Sequence, residues 1–189
     1  MSSSQSRRGA VAVAGRAWLA RALVSLGVLS LALSIAGWAR HYCVNLSGSL
    51  PIGVYRVSRR TIRRGALVLA CLPPAVARMA RERGYVHGGR CPGGAAPIGK
   101  VVLALAGDTV DVSESGLAVN GRFVIGTKPL RFDSHDRPLS SARTGRYVVR
   151  DATLWLVSNH SPQSFDSRYF GAVDVSAIIG CLTRVITSR

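Results

Sequence analysis

Residues 22–39 read ALVSLGVLSLALSIAGWA, 18 positions without a charge. A run of that length is just enough to cross the ~30 Å hydrocarbon core as a helix. Arg16 and Arg21 precede it, Arg40 closes it, and Trp18 and Trp38 sit near its ends, where interfacial aromatics belong. A cleaved leader is the rival reading. Against it, the run exceeds a usual leader core, and Ala36-Gly37-Trp38 puts a tryptophan at the last position of the small-x-small site that cleavage needs. The chain is therefore expected to comprise a short basic cytoplasmic tail (1–21), one retained transmembrane helix (22–39) and one exported domain (41–189). Arginines crowd both flanks, so charge alone barely orients the span. The long downstream segment favours an inward N-terminus, because long domains translocate largely regardless of charge. The opening MSSSQSRRGAVAVAG is small, polar and basic, and is expected to be disordered.

The chain carries 25 basic against 9 acidic residues, a formal charge of +16, and only Lys100 and Lys128 are lysines. Arginine stays protonated in a protein, whereas a buried lysine can become a neutral amine. Each lysine is thus a candidate for chemistry that arginine cannot do. So basic a chain raises nucleic acid as a partner, but no aromatic-interleaved stripe or recognition motif is present, and no nucleic acid is expected. The one arginine cluster, Arg56, Arg59, Arg60, Arg63 and Arg64, follows the apolar run closely. Lipid headgroups are its expected partner; a plain solvated face is the competing reading. Of Cys43, Cys71, Cys91 and Cys181, none form a C-x-x-C pair, so zinc and thioredoxin-like readings are poor. An exported domain permits disulfides. Cys71 and Cys91 flank one irregular region and are the favoured bridge; four free thiols is the alternative.

Downstream the pattern is mainly β. VYRV and ALVLACL read as strands split by a basic turn at 58–65. Pro73-Pro74 breaks the chain, residues 75–83 have helical spacing, and Gly84 stops them. Residues 88–97 form a Gly/Pro loop. Lys100 opens KVVLALAGDTVDV, two strand-like pieces about Gly107-Asp108. LAVNGRFV is a hairpin signal with Asn120-Gly121 as its turn. Residues 127–144 read as loop, 147–149 and 153–157 as strands, and 173–187 as a further strand pair. The fold class expected is an antiparallel β domain with one small helical insertion.

Ordinary catalytic constellations fit poorly. A Ser-His-Asp triad needs a proton-shuttling histidine, and nothing singles out His41, His87, His135 or His160. A cysteine nucleophile needs a lowered pKa, and Cys43 has only His41 nearby. Metal-ligand spacing is absent. A serine activated by a neutral lysine is the next option, although spacing alone favours an ordinary strand-edge charge at Lys100. Lys100 stands directly before VVLALA, whose side chains can desolvate it and disfavour the ammonium; Lys128, in GTKPL, has no such cover.

Three segments bear on the serine: NLSGSLPIGVY (45–55), GKVVLALAGDTV (99–110) and SFDSRYFG (164–171). In this order and spacing they resemble the boxes of the signal peptidase I family, most closely its TraF-type branch of conjugative-transfer peptidases that process pilin precursors. SLPIGVY is similar to that branch's S-L-P-x-G-x-Y, and GYVHGGRCPGG to its linker before the lysine strand. The resemblance implies Ser49 as nucleophile and Lys100 as general base. Where the family usually has K-R-V this chain has Lys100-Val101-Val102, and where it commonly has P-G-D this chain has Ala106-Gly107-Asp108. Ser164 matches a serine that orients the lysine amine, and Asp166 and Arg168 a structural ion pair; the branch has also given the aspartate a more direct role. Ser47 matches a hydroxyl that assists the Ser49 N–H in the oxyanion hole. For Gly53, Gly107 and Asp108, plain turn or hairpin-closing roles outweigh catalysis.

The resemblance implies a serine endopeptidase without metal or cofactor, held in the bacterial inner membrane with its domain in the periplasm, whose partners are the bilayer and a membrane-inserted precursor. The precursor is expected to be a pilin, matured by hydrolysis or by cyclisation. A general signal peptidase and a non-catalytic anchored assembly protein are the alternatives. Ser49 follows the apolar run by about ten residues, a reach of at most ~35 Å, which keeps the nucleophile near the bilayer surface.

Overall fold

The computed structural model describes residues 18, 21, 23–37, 41–158 and 160–188. Two units make up the chain, Met1–His41 and Tyr42–Arg189. In the first, residues 23–37 are helical and expose Leu23, Val24, Leu26, Val28, Leu29, Leu31, Leu33 and Ile35. Among the described residues no helix is long and apolar enough to cross a membrane. The ends of the expected span, and the basic tail expected to be disordered, lie outside the described residues.

The second unit is mainly antiparallel β, as the alternating apolar pattern requires. Seven strands form one sheet in the order β1-β2-β11-β3-β4-β9-β10, with β1 Tyr42–Asn45, β2 Gly53–Ser58, β3 Leu67–Ala70, β4 Ile98–Leu105, β9 Thr153–Val157, β10 Val173–Asp174 and β11 Ile178–Thr187. Four form a second sheet, β7-β6-β5-β8, with β5 Thr109–Ser113, β6 Gly116–Val119, β7 Arg122–Val124 and β8 Gly145–Val148. Leu103, Val110, Val112, Leu117, Trp155 and Val157 share one core cluster with residues from both sheets. Val68, Val102, Leu154, Leu156 and Val173 form a second cluster within the larger sheet.

The hairpin between β6 and β7 turns on Asn120 and Gly121, both with positive φ, 51° and 77°, as a type I′ turn demands. The helical insertion is Pro74–Glu82, with proline in its first turn, where the missing N–H is not needed. Gly84 follows it with φ 75°. Cys71 and Cys91 are disulfide-bonded across this insertion, and Cys43 and Cys181 are free. Asp108 closes the turn after β4. Its carboxylate accepts from Leu105 N (2.8 Å) and Asn120 Nδ2 (2.9 Å) and pairs with Arg64, so the hairpin-closing role is the observed one.

Some elements differ from the sequence reading. β1 is a short edge strand with too little alternation to announce itself. β8 begins two residues earlier than its apolar stretch, at Gly145. β10 and β11 do not pair with each other: β10 joins β9, and β11 lies between β2 and β3. β4 starts at Ile98, which makes Lys100 its third residue and puts its side chain on the same face as Ile98 and Val102.

Candidate active site

The loop between β1 and β2 carries Ser49 and is held from three sides. Leu50 is buried with Tyr55 and Leu182. The Tyr55 hydroxyl, wholly inside, donates to the Pro51 carbonyl at 2.7 Å. Asn45, at the end of β1, donates through Nδ2 to the carbonyls of Ser47 (3.0 Å), Leu50 (2.9 Å) and Pro51 (3.2 Å). Gly53 lies opposite Thr187; a Cβ there would come 2.1 Å from the Ile186 carbonyl oxygen. The serine, leucine, proline, glycine and tyrosine of SLPIGVY thus each have a geometric task. Asn45 is a site residue the sequence reading passed over, although it opens the quoted segment.

Lys100 reaches the loop from β4. Its Nζ lies 2.7 Å from Ser49 Oγ and 2.6 Å from Ser164 Oγ, and the two hydroxyls are 3.0 Å apart. The side chain is 2% exposed, set on its strand between Ile98 and Val102. Desolvation is the largest influence on the amine. The Asp166 anion opposes it and the Arg168 cation adds to it, leaving the pKa at about 8 against an ordinary 10.5. The neutral amine, still the minor form at pH 7, is therefore far more populated than in an ordinary lysine, which is the direction a lysine base needs.

The third segment supports this arrangement. Arg168 and Asp166 form a bidentate pair with both N–O distances 2.8 Å, and both side chains are fully buried. Arg168 also donates to the carbonyls of Ser164 (2.8 Å) and Pro162 (3.0 Å). That fixes the backbone presenting the Ser164 hydroxyl to Lys100. A lone buried charge would be costly, but a paired and fully hydrogen-bonded one is tolerated. Among the described residues, Asp166 hydrogen-bonds neither Lys100 nor Ser49. Its carboxylate accepts from Arg168 and from the backbone N–H of Ser158 (2.9 Å). Phe165 packs against Tyr85, Tyr169 and Phe170 and seats the segment in the aromatic part of the core.

Ser47 donates its hydroxyl to Asn45 Oδ1 at 2.7 Å. The oxyanion role expected of it needs that hydroxyl to turn away. The Ser49 N–H has no acceptor among the described residues. A cavity of about 370 Å³ opens beside Ser49 and Ser164, walled by Tyr85, Leu130, Phe132 and Tyr169. It has the size of a site for one or two substrate side chains. Lys128 stands apart from this centre; its carbonyl accepts from Arg168 at 3.3 Å. Among the described residues no cluster of histidine, cysteine or carboxylate side chains could hold a metal ion.

The sequence profile of the family described as signal peptidase, peptidase S26, matches residues 15–186. The chain belongs to the peptidase S26 family. Within this family it is 37% identical over 170 residues to a plasmid transfer protein TraF of Escherichia coli, covering 89% of this chain and 96% of that protein. It is 37% identical over 189 residues to a probable conjugal transfer protein TraF of Sinorhizobium fredii, 97% and 94% of the two chains. The crystal structure of a signal peptidase I from Enterococcus faecalis superposes with a TM-score of 0.40 at 18% identity, over 67% of this chain and all of that one, too loose a likeness to carry an argument. Peptidase S26 membership makes this a serine peptidase. The geometry supplies one deeply buried lysine amine within hydrogen-bond reach of two serine hydroxyls, Ser49 at the rim of a cleft and the buried Ser164.

Proposed function

We propose that this protein is a membrane-anchored Ser49/Lys100 endopeptidase of the bacterial inner membrane, which matures a membrane-inserted conjugative pilin precursor on the periplasmic side. The observation that carries the reading is the triangle of Lys100 Nζ, Ser49 Oγ and Ser164 Oγ, in which Lys100 and Ser164 are buried and Ser49 faces the cleft. The conjugal-transfer names of relatives matching almost the whole chain favour a conjugative substrate over general removal of signal peptides. The apolar side chains exposed along residues 23–37 support an anchor at 22–39.

In this mechanism neutral Lys100 accepts the Ser49 proton as Oγ attacks the scissile carbonyl. Ser164 receives a hydrogen bond from the amine and keeps its lone pair turned to Ser49. The Ser49 N–H, with the Ser47 hydroxyl once rotated, donates to the oxyanion. Each such donor is worth ~3–4 kcal/mol in the transition state. The tetrahedral intermediate collapses, the ammonium of Lys100 protonates the leaving amine, and an acyl-enzyme remains on Ser49 Oγ. Water releases a linear product; an amine of the same substrate releases a cyclic one.

Co-expression with a pilin precursor and measurement of product mass tests this reading. A processed product that is lost in both Ser49→Ala and Lys100→Ala is expected, and its mass separates the linear chain from a cyclic one lighter by one water. Processing that survives Lys100→Ala would remove lysine as the base. An unprocessed pilin beside a processed signal-peptide substrate would make this a general signal peptidase.

A further inference from the structure

Ser158, just beyond the end of β9, donates its hydroxyl to the Ser49 carbonyl oxygen at 2.7 Å, 109 residues away in sequence. The direction is forced, because a carbonyl can only accept. Ser158 Oγ in turn accepts from the N–H of His160 (3.1 Å) and of Ser161 (3.2 Å). One donor and two acceptor positions are thus all used, the full capacity of a hydroxyl. The Ser158 N–H meanwhile donates to Asp166 Oδ2 at 2.9 Å, and Ser158 is 3% exposed. Through its hydroxyl and its own N–H, Ser158 thus links the Ser49 carbonyl to the carboxylate of the buried ion pair.

From this geometry we infer that Ser158 is a positioning residue for acylation. It locks the orientation of the peptide that follows Ser49, and so aims Ser49 Oγ and the Ser49 N–H. The inference rests on the Ser49/Lys100 reading above. It also gives Asp166 a route to the reacting centre that needs no proton transfer. The carboxylate fixes the Ser158 backbone, and the Ser158 hydroxyl fixes Ser49. The rest of the nucleophile loop is held by Asn45 and Tyr55, which grip Leu50 and Pro51. Ser158 alone holds the carbonyl of Ser49 itself among the described residues. Misplacing a reacting group by about 1 Å can cost around a hundredfold in rate.

Ser158→Ala removes the hydroxyl bonds and leaves the backbone N–H to Asp166 in place. The test measures the second-order rate of Ser49 labelling by a small fluorophosphonate on the full-length protein in detergent, across pH, with the thermal midpoint beside it. Wild type, Ser158→Ala, Ser158→Thr, Ser49→Ala and Lys100→Ala are compared. The Ala variant is expected to label about ten- to a hundredfold more slowly, with the pH midpoint unmoved, since Lys100 sets it. The Thr variant, which keeps a hydroxyl on Cβ, recovers most of the rate. A Ser158→Ala rate within twofold of wild type overturns the role while leaving the dyad intact. So does a slow rate with a displaced pH midpoint, which would place Ser158 on Lys100 instead. A Thr variant as slow as Ala with the same loss of thermal midpoint would reduce the residue to packing. Labelling that persists in Lys100→Ala, or fails in wild type, removes the dyad and this role with it.

Discussion

Tyr55 and Asn45 share one acceptor: the Pro51 carbonyl takes the Tyr55 hydroxyl at 2.7 Å and Asn45 Nδ2 at 3.2 Å. Both donors come from flanking strands, so the loop bearing Ser49 is fastened at the same point from β1 and from β2. Tyr55→Phe removes one of them without changing the buried ring. The expected cost is about 1 kcal/mol, read as a lower urea midpoint with unchanged slope. Asn45→Ala also frees the Ser47 and Leu50 carbonyls. Because the two side chains bind one oxygen, the double variant should depart from additivity, as residues in one network do. A double-variant loss equal to the sum of the singles would mean that the loop is not held as a unit.

The rate of Ser49 acylation should rise with pH and level off above about 8. On the proposed mechanism Lys100 acts as base only when neutral, and its pKa is held at about 8. Below that value the rate should fall about tenfold per pH unit. Labelling with a small acylating probe is the proper measurement, because slow product release would hide the step. A rate flat from pH 6 to 9 would exclude Lys100 as the base.

Lys100→Met should abolish activity and raise stability. Met fills similar volume, suits a site between Ile98 and Val102, and spares the cost of burying an ammonium. Among the described residues Lys100 is not itself hydrogen-bonded to the Asp166–Arg168 pair, and exchanging buried charges for well-packed apolar groups is often neutral or stabilising, by about 1–4 kcal/mol for a whole ion pair. The pH dependence follows from the direction of the shift. The folded pKa lies below the ordinary 10.5, so the unfolded chain binds the extra proton between about 8 and 10.5. Wild-type stability therefore rises with pH across that window, and the penalty is complete below 8. The advantage of the Met variant should be greatest at neutral pH and shrink as the buffer approaches pH 10. A Met variant less stable than wild type at pH 7 would mean that the amine's hydrogen bonds outweigh its desolvation.

Lys100 was a candidate from the residues alone, because lysine is rare in this chain and this one stands before an apolar run. Ser49 was singled out only by the resemblance of its segment to a known family. Their ordered spacing with SFDSR marked the three segments, and those segments meet in the structure. The fold class was legible from alternation and from Asn120-Gly121. Partners that act through common residues were not. Ser158 is one serine among many, and Asn45 looks like an ordinary turn residue. Their roles depend on which carbonyl lies opposite, and that is fixed only when β1, β2 and β9 assemble. β1 was missed for the same reason, since its register comes from β2 more than from its own four residues. The disulfide was favoured from the irregular region between its cysteines, with free thiols left open, because sequence does not reveal Cα separation.

That disulfide should affect substrate binding more than chemistry. Cys71 and Cys91, 20 residues apart with Cα atoms 5.5 Å from each other, bracket the helical insertion. This insertion supplies Gly84 and Tyr85 to the cleft wall. Tyr85 donates to Asp133 Oδ2 at 2.6 Å, and Arg83 and Arg137 bind backbone carbonyls across the same junction. Lys100 and Ser49 lie outside the bracketed loop. Cys71→Ser with Cys91→Ser should lower stability by about 3 kcal/mol, the loop-closure value for this length. It should raise KM for the precursor several-fold while leaving the labelling rate with a small probe within about twofold. An equal loss of probe labelling and of precursor turnover would show instead that the insertion supports the dyad itself.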